Sequence, residues 1–126
     1  MNERNGGLFM LFLWYPKCTT CQKAKKWLDD NQVSYEARDI KTDNPTFEEI
    51  KEWHNRSGLP LKRFFNTSGL VYKEKELKDK LPGMTEEEQY EILASDGMLV
   101  KRPMIVEEKK VLVGFKQEEW AAFYGK

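Results

Sequence analysis

Cys18 and Cys21, separated only by Thr19 and Thr20, are the two cysteines of this 126-residue chain and its clearest chemical signal. A disulfide so short closes a tiny loop and contributes little chain-entropy stabilisation, so a structural staple explains the pair poorly. At the start of a helix, the spacing puts both sulfurs on one face within bridging reach. The unpaired N–H groups of a helix start favour a thiolate, and Lys17 stands beside the first thiol. The chemistry that follows is disulfide exchange, with Cys18 attacking and Cys21 resolving. Two other readings stay open on these residues alone. The thiols are inert, Cys21 belonging only to the helix core, or they bind zinc. A closed zinc site needs four ligands, and beyond the pair the chain offers only His54 and no second C-x-x-C, so that site would need a partner chain.

The elements that must hold such a pair are visible around it. Leu8 to Tyr15 is a continuous apolar run ending at Pro16, the pattern of a strand covered on both faces. Cys21, Ala24, Trp27 and Leu28 then recur at helical spacing up to Asp29-Asp30-Asn31. Val33 to Ile40 reads as a second strand, which the helical crossover makes parallel to the first. Asp43-Asn44-Pro45 reads as a helix start with an Asx cap, leading to an inner stripe of Phe47, Ile50 and Trp53 that ends at Gly58. Short helices are expected at Leu61–Asn66 and Lys73–Leu81. Thr85-Glu86-Glu87-Glu88 is a capping-box pattern opening a further helix, with Tyr90, Ile92 and Leu93 inside. Met104–Val106 and Val111–Gly114 flank a polar turn as a hairpin, and Gln117 to Tyr124 closes the chain as a helix facing Trp120 and Phe123 inward.

These elements predict an α/β fold of order β-α-β, helices, β-β-α, with a mixed sheet. Met1 to Gly7 is expected to be a flexible leader, and 8–126 a single domain. Its core would be 8–43 plus 100–126, and 44–99 a helical insert. Lys and Arg number 21, as do Asp and Glu, so no net charge drives nucleic-acid or membrane-surface binding. The apolar run at Leu8 is too short to span a bilayer and lacks the marks of a secretory signal, so a cytoplasmic location is expected, with no cofactor and no resident metal.

Arg102-Pro103 is the second feature of interest. A cis X-Pro bond beside a C-x-x-C would let an extended substrate backbone pair with the loop, whereas sequence alone favours a trans Pro opening an edge strand. His54 reads as a partly exposed structural residue, and Trp14, Tyr15, Phe64 and Phe65 as core or site-wall residues.

Taken together, Cys18-Thr19-Thr20-Cys21-Gln22-Lys23-Ala24, Phe64-Phe65-Asn66-Thr67-Ser68-Gly69, Lys101-Arg102-Pro103-Met104-Ile105 and Val113-Gly114-Phe115 resemble the ArsC/Spx family from Leu8 to the C-terminus. The resemblance implies a thioredoxin-like fold with an inserted helical subdomain. It also implies a cis bond before Pro103, Cys18 as the redox-active nucleophile, and Arg102 as an oxyanion-holding residue; on the reading of the residues themselves, Lys17 and Pro103 are expected beside them in the substrate site. The glutathione-linked arsenate reductases of the family place two further arginines near Phe64–Thr67 and Val111–Gly114. Here those regions hold Asn66 and Gly114, with only Arg63 nearby. Those enzymes also usually lack a second Cys at the position of Cys21. The chain is similar in this respect to the Spx and MgsR branch, whose C-x-x-C is a redox switch and whose members bind RNA polymerase rather than DNA. Gly58 approximates a glycine that matters for that contact. The resemblance therefore implies either an arsenate-reductase-like or glutaredoxin-like oxidoreductase served by glutathione/glutaredoxin or thioredoxin, or a regulator that contacts the polymerase α subunit.

Overall fold

The structure is a computed structural model and describes residues 10–126. The expected leader, Met1 to Gly7, and the first two residues of the expected strand, Leu8 and Phe9, lie outside the described residues. The chain divides into two compact units, one comprising the described residues up to Asp39 together with Arg102–Lys126, the other Ile40–Lys101.

In the first unit the apolar run forms β1, Met10–Trp14, and its first four residues are each at most 5% exposed, so both faces are covered. That is why it reads as an unbroken run rather than an alternation. β1 pairs in parallel with β2, Glu36–Asp39, and antiparallel with β3, Met104–Glu107. β3 pairs in turn with β4, Val111–Val113, giving the mixed order β2-β1-β3-β4. Helix α1, Thr19–Asp30, buries Cys21, Ala24 and Leu28. The last helix of this unit, Gln117–Tyr124, buries Trp120. Met10 and Phe12 of β1, Ala24 and Leu28 of α1, Ile105, Leu112 and Trp120 form one cluster. Trp120 stands edge-on to Phe12 and Trp27, with ring centroids 6.5 and 6.2 Å apart. Its indole N–H donates to the Gly114 carbonyl at 3.1 Å, so the largest buried side chain leaves its polar atom satisfied.

In the second unit α2, Phe47–Ser57, is capped by Thr46 rather than by the expected Asn44. The Thr46 hydroxyl accepts from the Glu49 N–H at 3.1 Å and the Glu49 carboxylate accepts from the Thr46 N–H at 2.9 Å, a complete capping box. The Asn44 amide is used elsewhere, donating toward the Leu93 and Ala94 carbonyls at 3.4 and 3.3 Å. Ile50, Trp53 and His54 form the buried face of α2. His54 is thus buried, not partly exposed as expected, because it follows Ile50 by four residues on the same helical stripe. Its Nδ1 lies 2.7 Å from the Tyr90 hydroxyl, and its ring is edge-on to Phe64.

The expected helix at Leu61–Asn66 is a single 3₁₀ turn, Leu61–Phe64, after which Phe65 is extended and bridges Val100. The helix expected at Lys73–Leu81 is two pieces, α3 at Leu70–Glu74 and α4 at Leu77–Lys80, broken where Glu76 takes a left-handed conformation. Thr85 and Glu88 make the second capping box, opening α5, Glu86–Ser95, as expected. The helix closing the first unit is therefore α6.

Gly97 leaves no room for a side chain, since a Cβ there would run into the Ile40 carbonyl oxygen. The obstructing group is backbone, so Gly97→Ala is expected to cost about 2 to 3 kcal/mol in urea unfolding. Gly83→Ala, where a Cβ meets nothing within 4 Å, should stay within about 0.5 kcal/mol of the native chain.

Candidate active site at the start of the first helix

The first unit turns sharply between β1 and α1. The Cys18 N–H donates to the Tyr15 carbonyl at 2.9 Å, the Gln22 N–H donates to the Cys18 carbonyl at 3.0 Å, and the Gln22 amide holds the Pro16 carbonyl at 2.8 Å. Cys18 is thereby fixed as the N-cap of α1 in an extended conformation. It is half-buried, whereas Cys21, three residues on, is fully buried. Both are free thiols.

Their ionisation is driven in opposite directions. Burial opposes a charge on Cys18, but the backbone N–H and thiol of Cys21 and the Arg102 guanidinium together outweigh it, and the pKa falls below the usual thiol value. A side chain at an N-cap faces the N–H of the third helical residue, and here that residue is Cys21. Burial pushes the Cys21 thiol up to about 12, against the help of the Tyr15 N–H, which lies 3.4 Å from its sulfur. The neighbouring Cys18 raises it further, through both the hydrogen bond and the charge.

Arg102 reaches this place through strand register. β1 and β3 pair Leu13 with Met104, and continuing the antiparallel ladder past that pair brings Arg102 level with Tyr15. The guanidinium carbon lies 5.3 Å from the Tyr15 ring centroid, a cation–π distance that steadies the side chain. The Arg102–Pro103 peptide bond is cis. It is thus the geometry implied by the family resemblance and not the trans bond favoured by sequence alone. Nor does Pro103 open an edge strand, because β3 lies between β1 and β4. The buried Pro103 offers its carbonyl to the Gly114 N–H at 2.8 Å. Gly114, with φ at +81°, occupies a backbone conformation that an arginine would adopt only under strain.

Of the residues singled out in the sequence, Cys18, Cys21, Arg102 and Pro103 belong to this unit. Lys17 is exposed, and the principal cation acting on Cys18 is Arg102. His54 lies in the other unit and is engaged by Tyr90. Tyr15, read from the sequence as a core or site-wall residue, contributes more specifically: its N–H serves Cys21 and its ring serves Arg102, contacts that only the strand register would have marked.

A half-buried thiol with a lowered pKa beside a buried, protonated one can act as a nucleophile backed by a second sulfur. Because the anionic form of Cys18 is favoured, its alkylation by iodoacetamide should level off at a lower pH than that of an unperturbed cysteine. Cys21 should stay unmodified through neutral pH. Arg102→Gln removes a charge that stabilises the thiolate, so the Cys18 profile should move to higher pH. Mass spectrometry of the two cysteine peptides against pH reads each outcome.

Comparison with known proteins places this geometry in context. The pattern that defines the ArsC family matches residues 13–123. A solved structure of an ArsC-family related protein from Bacteroides fragilis superposes with a TM-score of 0.87 at 63% identity, covering 90% of this chain and 95% of that one. YusI of Bacillus subtilis (strain 168) is 51% identical over 111 residues, 88% of this chain and 94% of that protein. Global transcriptional regulator Spx 1 of Bacillus cereus is 32% identical over 108 residues, 86% of this chain and 81% of its own. With a mixed four-stranded sheet, a helical segment between its β-α-β and β-β-α halves and a family match over nearly all the described residues, the fold is thioredoxin-like and the chain belongs to the ArsC family.

Proposed function

We infer that the chain is a dithiol/disulfide redox protein in which Cys18 is the nucleophile and Cys21 the resolving thiol. The observation that carries this reading is the placement of two free thiols at one helix start, Cys18 half-buried at the cap beside Arg102 and Cys21 three residues on in the buried stripe, which favours the anion on the first and disfavours it on the second. In the first step the Cys18 thiolate attacks a substrate disulfide sulfur, forming a mixed disulfide and expelling the other half as a thiolate. In the second, Cys21 loses its proton and attacks the Cys18 sulfur. The S–S bond to substrate breaks, the substrate leaves as a thiolate, and the protein is left oxidised by two electrons with an internal bridge.

The timing follows from the same interactions. While Cys18 is an anion its charge and hydrogen bond help to keep Cys21 protonated. Once Cys18 is neutral in a mixed disulfide, both influences vanish, and the Tyr15 N–H and Arg102 remain to receive the Cys21 thiolate. Arg102 would hold an anionic substrate group, Pro103 would present the backbone on which an extended substrate lies, and Lys17 would add a cation at the mouth. Glutathione with glutaredoxin, or thioredoxin, would return the bridge to the dithiol.

Arsenate is the oxyanion to test first because of the family, although Arg102 alone is a sparse oxyanion site when planar, paired hydrogen bonds are what hold such a group. A second reading is favoured by the 32% identity to Spx 1. In that reading the same bridge switches a surface that binds the RNA polymerase α subunit, with exposed Gly58 at the end of α2 as part of it.

The decisive assay couples NADPH oxidation to arsenate or a small disulfide through each reducing system in turn. Cys18→Ser should lower turnover by at least about a thousandfold, and Cys21→Ser should accumulate a mixed disulfide on Cys18. An internal bridge without turnover, together with oxidation-dependent capture of the polymerase α subunit, would decide for the regulator. Failure of mild oxidant to form any Cys18–Cys21 bridge would overturn both.

A further inference from the structure

We propose that the Ile40–Lys101 unit carries a binding site for a small organic anion with two or more negative groups, held by Lys62, Arg63 and Lys101. The three side chains line one concavity of about 320 Å³ together with Pro60, Phe65 and Thr67. That volume is at the lower end of small-molecule sites, too small for a folded partner.

The backbone builds this convergence from distant parts of the chain. The 3₁₀ turn at Leu61–Phe64 presents Lys62 and Arg63. Phe65 then bridges Val100, the Lys101 N–H donates to the Phe64 carbonyl at 2.8 Å, and the Asn66 N–H donates to the Leu99 carbonyl at 2.8 Å. Lys101 is therefore fixed against the turn by two-residue pairing, with its side chain half-buried.

The charge pattern is what points to a ligand. Ile40–Lys101 holds twelve acidic and ten basic side chains, so the unit as a whole is slightly acidic. Elsewhere in it Arg56 sits against Glu52 at 3.2 Å and Lys51 against Glu87 at 4.0 Å, and what sets the three apart is their convergence on one recess. The concavity contains three cations and no carboxylate, and among the described residues no acidic group engages any of the three. Like charges gathered in a recess repel one another and raise the local potential, which a bound anion relieves. Arg63 supplies a planar fork for a carboxylate or phosphate, the two lysines supply compact charges, and the Thr67 hydroxyl can donate a further hydrogen bond. Pro60 and Phe65 give an apolar wall for the ligand's carbon skeleton. The site does not involve Cys18 or Cys21 and stands independently of their chemistry.

The test is titration of the full native chain with pyrophosphate and, separately, with citrate, read by amide chemical shifts and calorimetry at low and physiological salt. The expected result is saturable binding to at least one probe, with the largest shifts at Lys62, Arg63, Phe65, Thr67 and Lys101. The two probes distinguish a phosphorylated from a carboxylated ligand. Removing one cation, in Lys62→Gln or Lys101→Gln, should weaken binding about tenfold, while Lys73→Gln/Lys75→Gln should leave it unchanged. Shifts spread evenly over all lysines, no saturation, or equal weakening by the Lys73/Lys75 pair would overturn the proposal, and the native-chain titration decides this even where a variant folds poorly.

Discussion

The register between β1 and β3 is the constraint on which the thiol site depends. Leu13 opposite Met104 fixes where β3 begins, and that in turn sets Arg102 level with Tyr15 at the turn that leads into α1. A slip of one residue would reverse the faces of β3, sending Ile105 out of the cluster it shares with Phe12 and Trp120. Burial of that cluster therefore enforces the position of a charged residue at the strand's other end. The same packing that stabilises the unit decides which cation meets Cys18.

The division of labour between the two thiols rests on depth within one helix turn. Cys18, at the cap, is partly open and close to helix N–H groups, while Cys21 lies on the buried stripe with Ala24 and Leu28. A low dielectric makes ionisation unfavourable, and the site uses it selectively: the half-buried thiol gains more from its donors than burial takes away, and the fully buried one does not. Moving the second cysteine by a single position would turn it off that stripe and remove the asymmetry.

Much of the first unit was legible in the sequence because each of its elements announces itself locally. The doubly covered strand is an apolar run, α1 has a clean three-to-four spacing, and α6 runs over the residues its pattern marks, Gln117–Tyr124. The position of Arg102 beside Cys18 was legible only through the family resemblance, because its neighbours come from strand pairing across more than eighty residues of chain, which no local pattern encodes. The second unit was read less well, and for identifiable reasons. Asn44 and Thr46 are both good caps, and long-range hydrogen bonds to Leu93 and Ala94 claim the first. Lys73–Leu81 has helical composition throughout, yet Glu76 breaks it with a positive φ that its residue type does not advertise. His54, expected to be partly exposed, is buried because its place in the stripe, one turn after Ile50, puts it inside.

The late position of Arg102 in the chain also has a bearing on how the protein is made. Synthesis proceeds from the N-terminus, so Cys18 and α1 exist before Arg102, β3 and Trp120 have been joined to the chain. Until then the thiol lacks the guanidinium that favours its anion, and its β1 neighbour has no antiparallel partner. A nascent chain in which Arg102, β3 and Trp120 are still missing thus carries a Cys18 whose anion is less favoured than in the folded unit, where Arg102–Lys126 packs with the residues up to Asp39.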